Sequence, residues 1–272
     1  MGRLARLAAT LAFWAAAAAI GGCVAAAAAN PPQVRIVYGA PSASNAEVVA
    51  AHDLLAKNQV LEELQQFLRP LRLPVDMTIK ADECGLESRP YDPAAKTATV
   101  CYETIAKIMQ IVAAHPEISA DERRVIVVGT IVEAVFHETA YALFDLYHVP
   151  IWGRIEDAAD RLAALIMLQF GEDSARTTIM GASKFFELSF RTWTGRDFAA
   201  ATSPEAQRYY NFLCIAYGGD PIVFDDLRGG ALPDYRAGQC AGEYQEIRKA
   251  FDLRVMPYID PDLLIRARAR AW

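Results

Sequence analysis

The sequence lacks the motifs that mark most enzyme classes. It contains no glycine-rich nucleotide loop, no nucleophile elbow and no dinucleotide fingerprint. No C-x-x-C pair is present, which argues against a zinc–cysteine site. Internal repeats are absent too, so a repeat architecture is excluded. The 272 residues suit one large domain or two small ones.

Basic residues are fewer than acidic residues in this sequence. Lysine and arginine number 27 against 33 aspartates and glutamates, which gives a formal net charge of −6. An acidic exterior repels nucleic acid and anionic membrane surfaces, so neither is predicted as a partner.

Most of the excess apolar content lies at the N-terminus. There, two arginines precede an alanine-rich apolar stretch, as in a secretory signal peptide. Two cleavage routes remain open. One cuts after Ala29 and removes residues 1–29; the other cuts before Cys23, at a sequence that resembles a lipobox, removes residues 1–22 and attaches a lipid to that cysteine. The sequence therefore predicts an exported protein, in a bacterial periplasm or secreted, that touches a membrane only through such an anchor.

Four cysteines remain after either cut. An even number in an exported chain predicts disulfides, and three pairings are possible. Proximity in sequence favours Cys84–Cys101 and Cys214–Cys240.

Hydrophobic patterning predicts a mainly helical α+β fold with a small N-terminal sheet. The strands are expected at 34–38, 73–79 and 97–102, with the last two as a hairpin-like pair stapled by Cys84–Cys101. Residues 30–272 would form the functional domain, with a helical second lobe from about residue 172. Helical periodicity favours helices at 45–68, 103–114, 119–147, 156–170, 173–193, 204–216 and 240–251.

The long apolar helix carries His137-Glu138-Thr139-Ala140-Tyr141, which resembles the zinc-peptidase motif H-E-x-x-H. In that motif two imidazoles four residues apart lie on one helix face and bind one zinc ion. The glutamate beside the first histidine takes a proton from water. His137 is thus a candidate metal ligand and Glu138 a candidate general base.

The next predicted helix supplies a second half of the motif. In one branch of zinc peptidases an E-x-x-x-D pattern there provides the third ligand and an aspartate that orients the first histidine. Glu156 and Asp160 stand at that spacing. They are therefore the candidate third ligand and the candidate orienting residue.

The departure from the motif is Tyr141, which stands where the second histidine belongs. A phenol has an ordinary pKa near 10 and binds zinc only after losing its proton. His148 lies roughly 16 Å from His137 along a continuous helix, too far to replace it. His52 and His115 have no spacing argument. Three outcomes stay open: zinc with the Tyr141 oxygen as a doubtful ligand, a harder metal held by oxygens, or a site that Tyr141 fills without metal.

The resemblance extends beyond this helix pair. The chain resembles a bacterial family of metallopeptidases, the family of domain of unknown function 4344, over nearly all of its mature length. That resemblance implies a zincin-like fold, with a sheet edge beside the cleft, and descent from a peptidase. The segments that carry it are 83–85, 91–93, 100–103, the motif helix, 150–160, 211–214, 217–218, Pro221 and 236–244 with Cys240.

Three functions follow as hypotheses. The first is an exported zinc metallopeptidase-like protein with a degenerate site and weak peptide-bond hydrolysis, in which His137 and Glu156 bind the metal, Glu138 is the base and Asp160 orients the histidine. The second is an inactive pseudopeptidase that binds a peptide or an envelope protein. The third is a structural envelope protein, lipid-anchored through Cys23.

Overall fold

The structure, a computed structural model, describes residues 31–85, 91–190 and 203–268. The predicted signal segment with Cys23 lies outside the described residues, as does the end of the helix predicted to finish at Trp193. From Pro31 onward the chain forms one compact unit. It is mainly helical with one small sheet, which confirms the predicted fold class.

The sheet has four strands in the order β1-β2-β4-β3. β1 pairs with β2 and β2 with β4 in parallel, whereas the short β3 lies antiparallel to β4. The hairpin-like pairing expected for β2 and β4 is therefore wrong. Alternating burial sets which side chains face the core but not the direction of the strand. The strands are β1 (Val34–Tyr38), β2 (Met77–Asp82), β3 (Tyr91–Asp92) and β4 (Thr97–Cys101).

The parallel register explains the first disulfide. Asp82 pairs with Cys101, so Cys84 lies just beyond the same end of the sheet and bonds to Cys101. The connection between the strands is long enough for the crossover that a parallel pair requires. The second disulfide joins Cys214 to Cys240. Both favoured pairings are confirmed.

Nine helices occupy the described ranges. The helix predicted over 45–68 is two helices, because Gln59 adopts a left-handed conformation with φ of 52°. The last helix was not predicted, and the eighth begins before its predicted start. The helices are α1 (Ala46–Lys57), α2 (Val60–Leu68), α3 (Tyr102–Ala113), α4 (Ala120–Leu146), α5 (Ile155–Met167), α6 (Glu172–Phe190), α7 (Glu205–Gly219), α8 (Asp234–Arg254) and α9 (Pro261–Arg268).

The central helix is α4. Ser119 caps its N-terminus, where the serine hydroxyl accepts a hydrogen bond from the Glu122 amide at 3.2 Å. Among the described helices, α4 alone is long and apolar enough to cross a membrane, but 72% of its most apolar stretch is buried in the protein. It packs against α3, α5, α6 and β4, as expected for a core helix.

Candidate metal site

Two consecutive helices bring the motif residues together. α4 ends at Leu146, and the connection before α5 contains Gly153 with φ of 115°, a conformation that favours glycine. α5 then places Glu156 in its first turn and Asp160 one turn later. Because residues four apart share a helix face, both carboxylates point back towards His137 on α4.

His137 lies between these two carboxylates. Its Nδ1 donates a hydrogen bond to Asp160 Oδ1 at 2.7 Å, and its Nε2 lies 3.2 Å from Glu156 Oε2. The histidine is only 9% exposed. Asp160 thereby fixes the orientation of the ring, and Nε2 is the nitrogen directed at the second carboxylate.

This arrangement fits a metal ion. Two ligands of a tetrahedral zinc, each at about 2.0–2.2 Å, are separated by about 3.4 Å. The 3.2 Å between His137 Nε2 and Glu156 Oε2 is close to that span. Within the described chain, buried polar oxygens of Glu138 and Tyr141 also have no partner. Both residues lie within about one helical turn of His137 on α4.

Tyr141 occupies the place of the second histidine without reproducing its chemistry. Its ring meets the His137 ring edge-on, with centroids 5.6 Å apart. The hydroxyl is buried and makes no hydrogen bond of normal geometry with any described residue. Burial and the nearby Glu156 carboxylate raise the pKa of the Tyr141 phenol well above 10. The phenol is therefore neutral at physiological pH and a poor zinc ligand.

Glu138 lies next to His137 on α4 and lines the same pocket. Burial raises the pKa of its carboxyl to about 7. A carboxyl with a pKa near neutral pH can both accept and release a proton, which is the property of a general base or acid.

Two charged residues at the site were missed by sequence reasoning. Arg208 on α7 donates from Nε to Asp160 Oδ2 and from Nη2 to Asp160 Oδ1, each at 2.7 Å. The same Nη2 donates to Glu133 Oε1 at 3.1 Å. Glu133 stands one turn before His137 on a buried helix, and that spacing was a usable signal. Arg208 is 71 residues from His137, so no spacing pattern in the sequence pointed to it.

These groups set one another's protonation. Burial disfavours the charged imidazolium, but the hydrogen bonds to Asp160 and Glu156 outweigh it and raise the pKa of His137 to about 10. Against the opposing effect of burial, Arg208 and His137 hold the pKa of Asp160 well below its usual range. Burial raises the pKa of Glu133 to about 7. A metal at Nε2 therefore has to displace a proton from His137, so its affinity should rise with pH.

The site opens into a pocket of about 520 Å³ between α3, α4, α6 and α7. One wall carries His137, Glu138 and Arg208. The facing walls are mixed: Ile108 of α3 and Phe185 of α6 are apolar, whereas Lys107 of α3 and Ser189 of α6 are polar. The pocket is large enough to admit a side chain of a peptide.

The other candidate ligands do not converge on this site. His52 and His115 lie beside their neighbours Asp53 and Glu117, at 3.2 and 2.8 Å. In the part of the chain that the structure describes, the groups close enough to share a metal contain no histidine except His137. Cys84 and Cys101 belong to the other such group, but they are bonded to each other.

A buried histidine held by an aspartate, with a glutamate 3.2 Å from its other nitrogen and a second glutamate beside it, resembles the site of a metallopeptidase. The chain belongs to the family of domain of unknown function 4344, described as "Putative metallopeptidase", whose sequence profile matches residues 40–253. No curated protein matches the chain significantly. No solved structure does so either.

Proposed function

We propose that this chain is an exported zinc metallopeptidase-like protein that binds a peptide in the α3–α4–α6–α7 pocket and hydrolyses peptide bonds slowly. The observation that carries the proposal is the geometry of His137. Asp160 holds Nδ1, and Nε2 is directed at Glu156 at about the separation of two zinc ligands. Nothing in a simple structural salt bridge requires the added Glu138 carboxyl beside this pair.

The residues would divide the work as follows. His137 Nε2 and Glu156 would hold the metal, and Asp160 would keep the imidazole in the tautomer that leaves Nε2 free. Glu138, with its pKa near 7, would take the proton from the attacking water and pass it to the leaving amine. Zinc, when bound, supplies Lewis acidity that activates water and polarises the carbonyl.

Slow hydrolysis follows from Tyr141. Structural and catalytic zinc sites use three or more protein ligands, and this chain offers one imidazole and one carboxylate at the right place. A neutral phenol neither adds charge nor binds zinc strongly. We therefore expect weaker zinc affinity and a lower turnover than in a complete H-E-x-x-H site.

Metal analysis of the purified mature protein tests the proposal. Under zinc-replete conditions about one zinc per chain is expected, lost in His137→Ala and in Glu156→Gln. His52→Ala is the matched control, because His52 pairs with Asp53 and, among the described residues, belongs to no group close enough to share a metal, so this variant should keep the metal. Absence of zinc from the parent protein would sink the proposal.

Tyr141→His tests the assignment of the missing ligand. A second imidazole one turn after His137 should raise zinc affinity at least tenfold and increase cleavage of a denatured protein substrate. Tyr141→Phe is the control, since it keeps the ring and adds no ligand. If the histidine variant binds zinc no better than the parent, the motif is wrongly placed on α4.

A second candidate function is a pseudopeptidase that binds a peptide or envelope protein without cutting it. The direct approach of His137 to Glu156 favours it, because an ion pair between them satisfies both groups without a metal. It predicts peptide binding that persists in the presence of a chelator and in His137→Ala. The enzyme hypothesis predicts that both treatments abolish cleavage.

A further inference from the structure

His137 has two sides on which a cation could sit. On the Nε2 side lies Glu156. On the Nδ1 side lie Asp160 and Glu133, and ligand atoms of the three residues are all within 4.8 Å of one another. If the number of carboxylates alone decided where a cation binds, it would bind on the Nδ1 side, which has two carboxylates, and not on the Nε2 side, which has one.

The Nδ1 side already holds a cation, the Arg208 guanidinium. Its Nη2 donates to both Asp160 Oδ1 and Glu133 Oε1, and its Nε donates to Asp160 Oδ2. These three charge-assisted bonds use the oxygens that a metal would need. A divalent ion there would also face a positive charge a few ångströms away at low dielectric.

Arg208 is held in this position from its other face. Its guanidinium carbon lies 4.3 Å from the centre of the Phe186 ring, a cation–π contact. The planar fork of an arginine engages two carboxylates at once, which a lysine cannot do with the same geometry. Glu205, at the start of α7, adds a further negative charge that favours the guanidinium.

We propose that Arg208 is a positioning residue that acts as a built-in cation on the Nδ1 side of His137 and so confines a bound metal to the Nε2 side. The inference rests on the proposed metal site at His137. Arg208 lines the pocket, but its hydrogen bonds go to Asp160 and Glu133 and not to the Nε2 side of His137. It acts through Asp160, whose carboxylate it orients, and through Glu133, whose charge it neutralises.

The test asks which nitrogen of His137 binds metal. The chain has four histidines, so protein labelled with nitrogen-15 at histidine gives four imidazole spin systems. The spin system that disappears in His137→Gln is assigned to His137. Cadmium-113 serves as the probe, because its scalar coupling to nitrogen-15 identifies the ligating nitrogen directly and requires no enzymatic activity.

In the parent protein, coupling to Nε2 is expected. In Arg208→Met the freed carboxylates should draw cadmium to Nδ1. Cadmium binding should then persist in the double variant Arg208→Met/Glu156→Gln. Glu156→Gln alone, with Arg208 present, should abolish cadmium binding. In Arg208→Lys the retained charge should keep the metal on Nε2. Coupling to Nδ1 in the parent, or unaltered Nε2 coupling and affinity in Arg208→Met, would overturn the inference.

Glu133→Gln provides a test that does not remove the arginine, should Arg208→Met fail to fold. Arg208 keeps its two bonds to Asp160 in this variant, so cadmium should stay on Nε2 with its affinity changed by less than about threefold. Loss of cadmium binding would instead make Glu133 a ligand and refute the proposal.

Failure of the proposed function gives a different result. If the parent protein binds no cadmium, the zinc site at Nε2 is refuted. Arg208→Met then decides the present inference alone: cadmium on Nδ1 supports the blocking role of the guanidinium, and no cadmium refutes it. Circular dichroism and the urea midpoint of each variant establish that it is folded.

Discussion

At the scale of single residues, the site is defined by which buried polar atoms have partners. His137, Asp160 and Arg208 form a chain of charge-assisted hydrogen bonds, whereas the Tyr141 hydroxyl has no partner of normal geometry among the described residues. An unpartnered buried hydroxyl costs free energy, while a satisfied one contributes about 1 kcal/mol. Tyr141 therefore adds little to the stability of the metal-free protein through its oxygen.

Removal of the Tyr141 hydroxyl tests how little this oxygen contributes to the stability of the metal-free protein. In the presence of a chelator, Tyr141→Phe is expected to leave the free energy of unfolding unchanged or to raise it by up to about 1 kcal/mol. The control is Tyr102→Phe, because Tyr102 is also buried but its hydroxyl donates to the Gly39 carbonyl at 2.8 Å, so the loss of this hydroxyl should cost about 1–2 kcal/mol. Urea denaturation measures both. A larger loss in Tyr141→Phe than in Tyr102→Phe would mean that the phenol bonds to Glu156 strongly.

Sequence reasoning identified the part of the site that follows from helical spacing. His137 and Glu138 stand in the order of the H-E-x-x-H motif, and Glu156 and Asp160 are one turn apart, so that second pair could be placed on one helix face. Arg208 was out of reach because its position depends on how α7 packs against α4 and α5. No local pattern encodes a contact between residues 48 positions apart.

At the scale of secondary-structure elements, the position of α4 depends on its close packing with α6. Gly129 of α4 and Gly181 of α6 face each other where the two backbones approach. A Cβ atom on Gly129 would lie 2.3 Å from the Thr178 carbonyl oxygen, and one on Gly181 would lie 2.3 Å from that of Val125. Both neighbours are backbone atoms, so neither can move away cheaply.

Gly129→Ala should therefore destabilise the protein although alanine favours helix formation. We expect a loss of about 2–3 kcal/mol, because the helices must separate to admit the methyl group. Gly238→Ala on α8 is the matched control: its Cβ would meet nothing within 4 Å, and it should stabilise the protein by about 0.5–1 kcal/mol. Thermal or urea unfolding distinguishes them, and equal effects would contradict the close packing of α4 and α6.

The sequence predicted the elements better than their pairing. Long amphipathic or apolar stretches such as α4 have a strong periodic signal, and Ser119 marked its start. The break at Gln59 was missed because the apolar pattern continues across it into α2. The parallel pairing of β2 with β4 was missed because the pattern of buried and exposed residues is the same for either strand direction.

At the scale of the whole molecule, each of the two disulfides is attached to an element next to or lining the pocket. Cys84–Cys101 closes the ends of β2 and β4 just before α3, which lines the pocket. Cys214–Cys240 joins α7, the helix that carries Arg208, to α8. Each restricts the unfolded chain and so stabilises the fold.

Removal of either disulfide should cost about 3 kcal/mol, since the bridges close loops of 17 and 26 residues and the entropic gain depends only weakly on loop length. Losing both would remove about 6 kcal/mol, comparable with the whole stability of an ordinary domain. The protein should therefore fold poorly under reducing conditions, as suits the proposed exported location.

Urea unfolding with and without a reductant measures the contribution of each disulfide. The variants are Cys84→Ala/Cys101→Ala and Cys214→Ala/Cys240→Ala. Each variant should still respond to the reductant, through its remaining bridge. A parent protein whose unfolding midpoint is unchanged by full reduction of its thiols would refute this account of its stability.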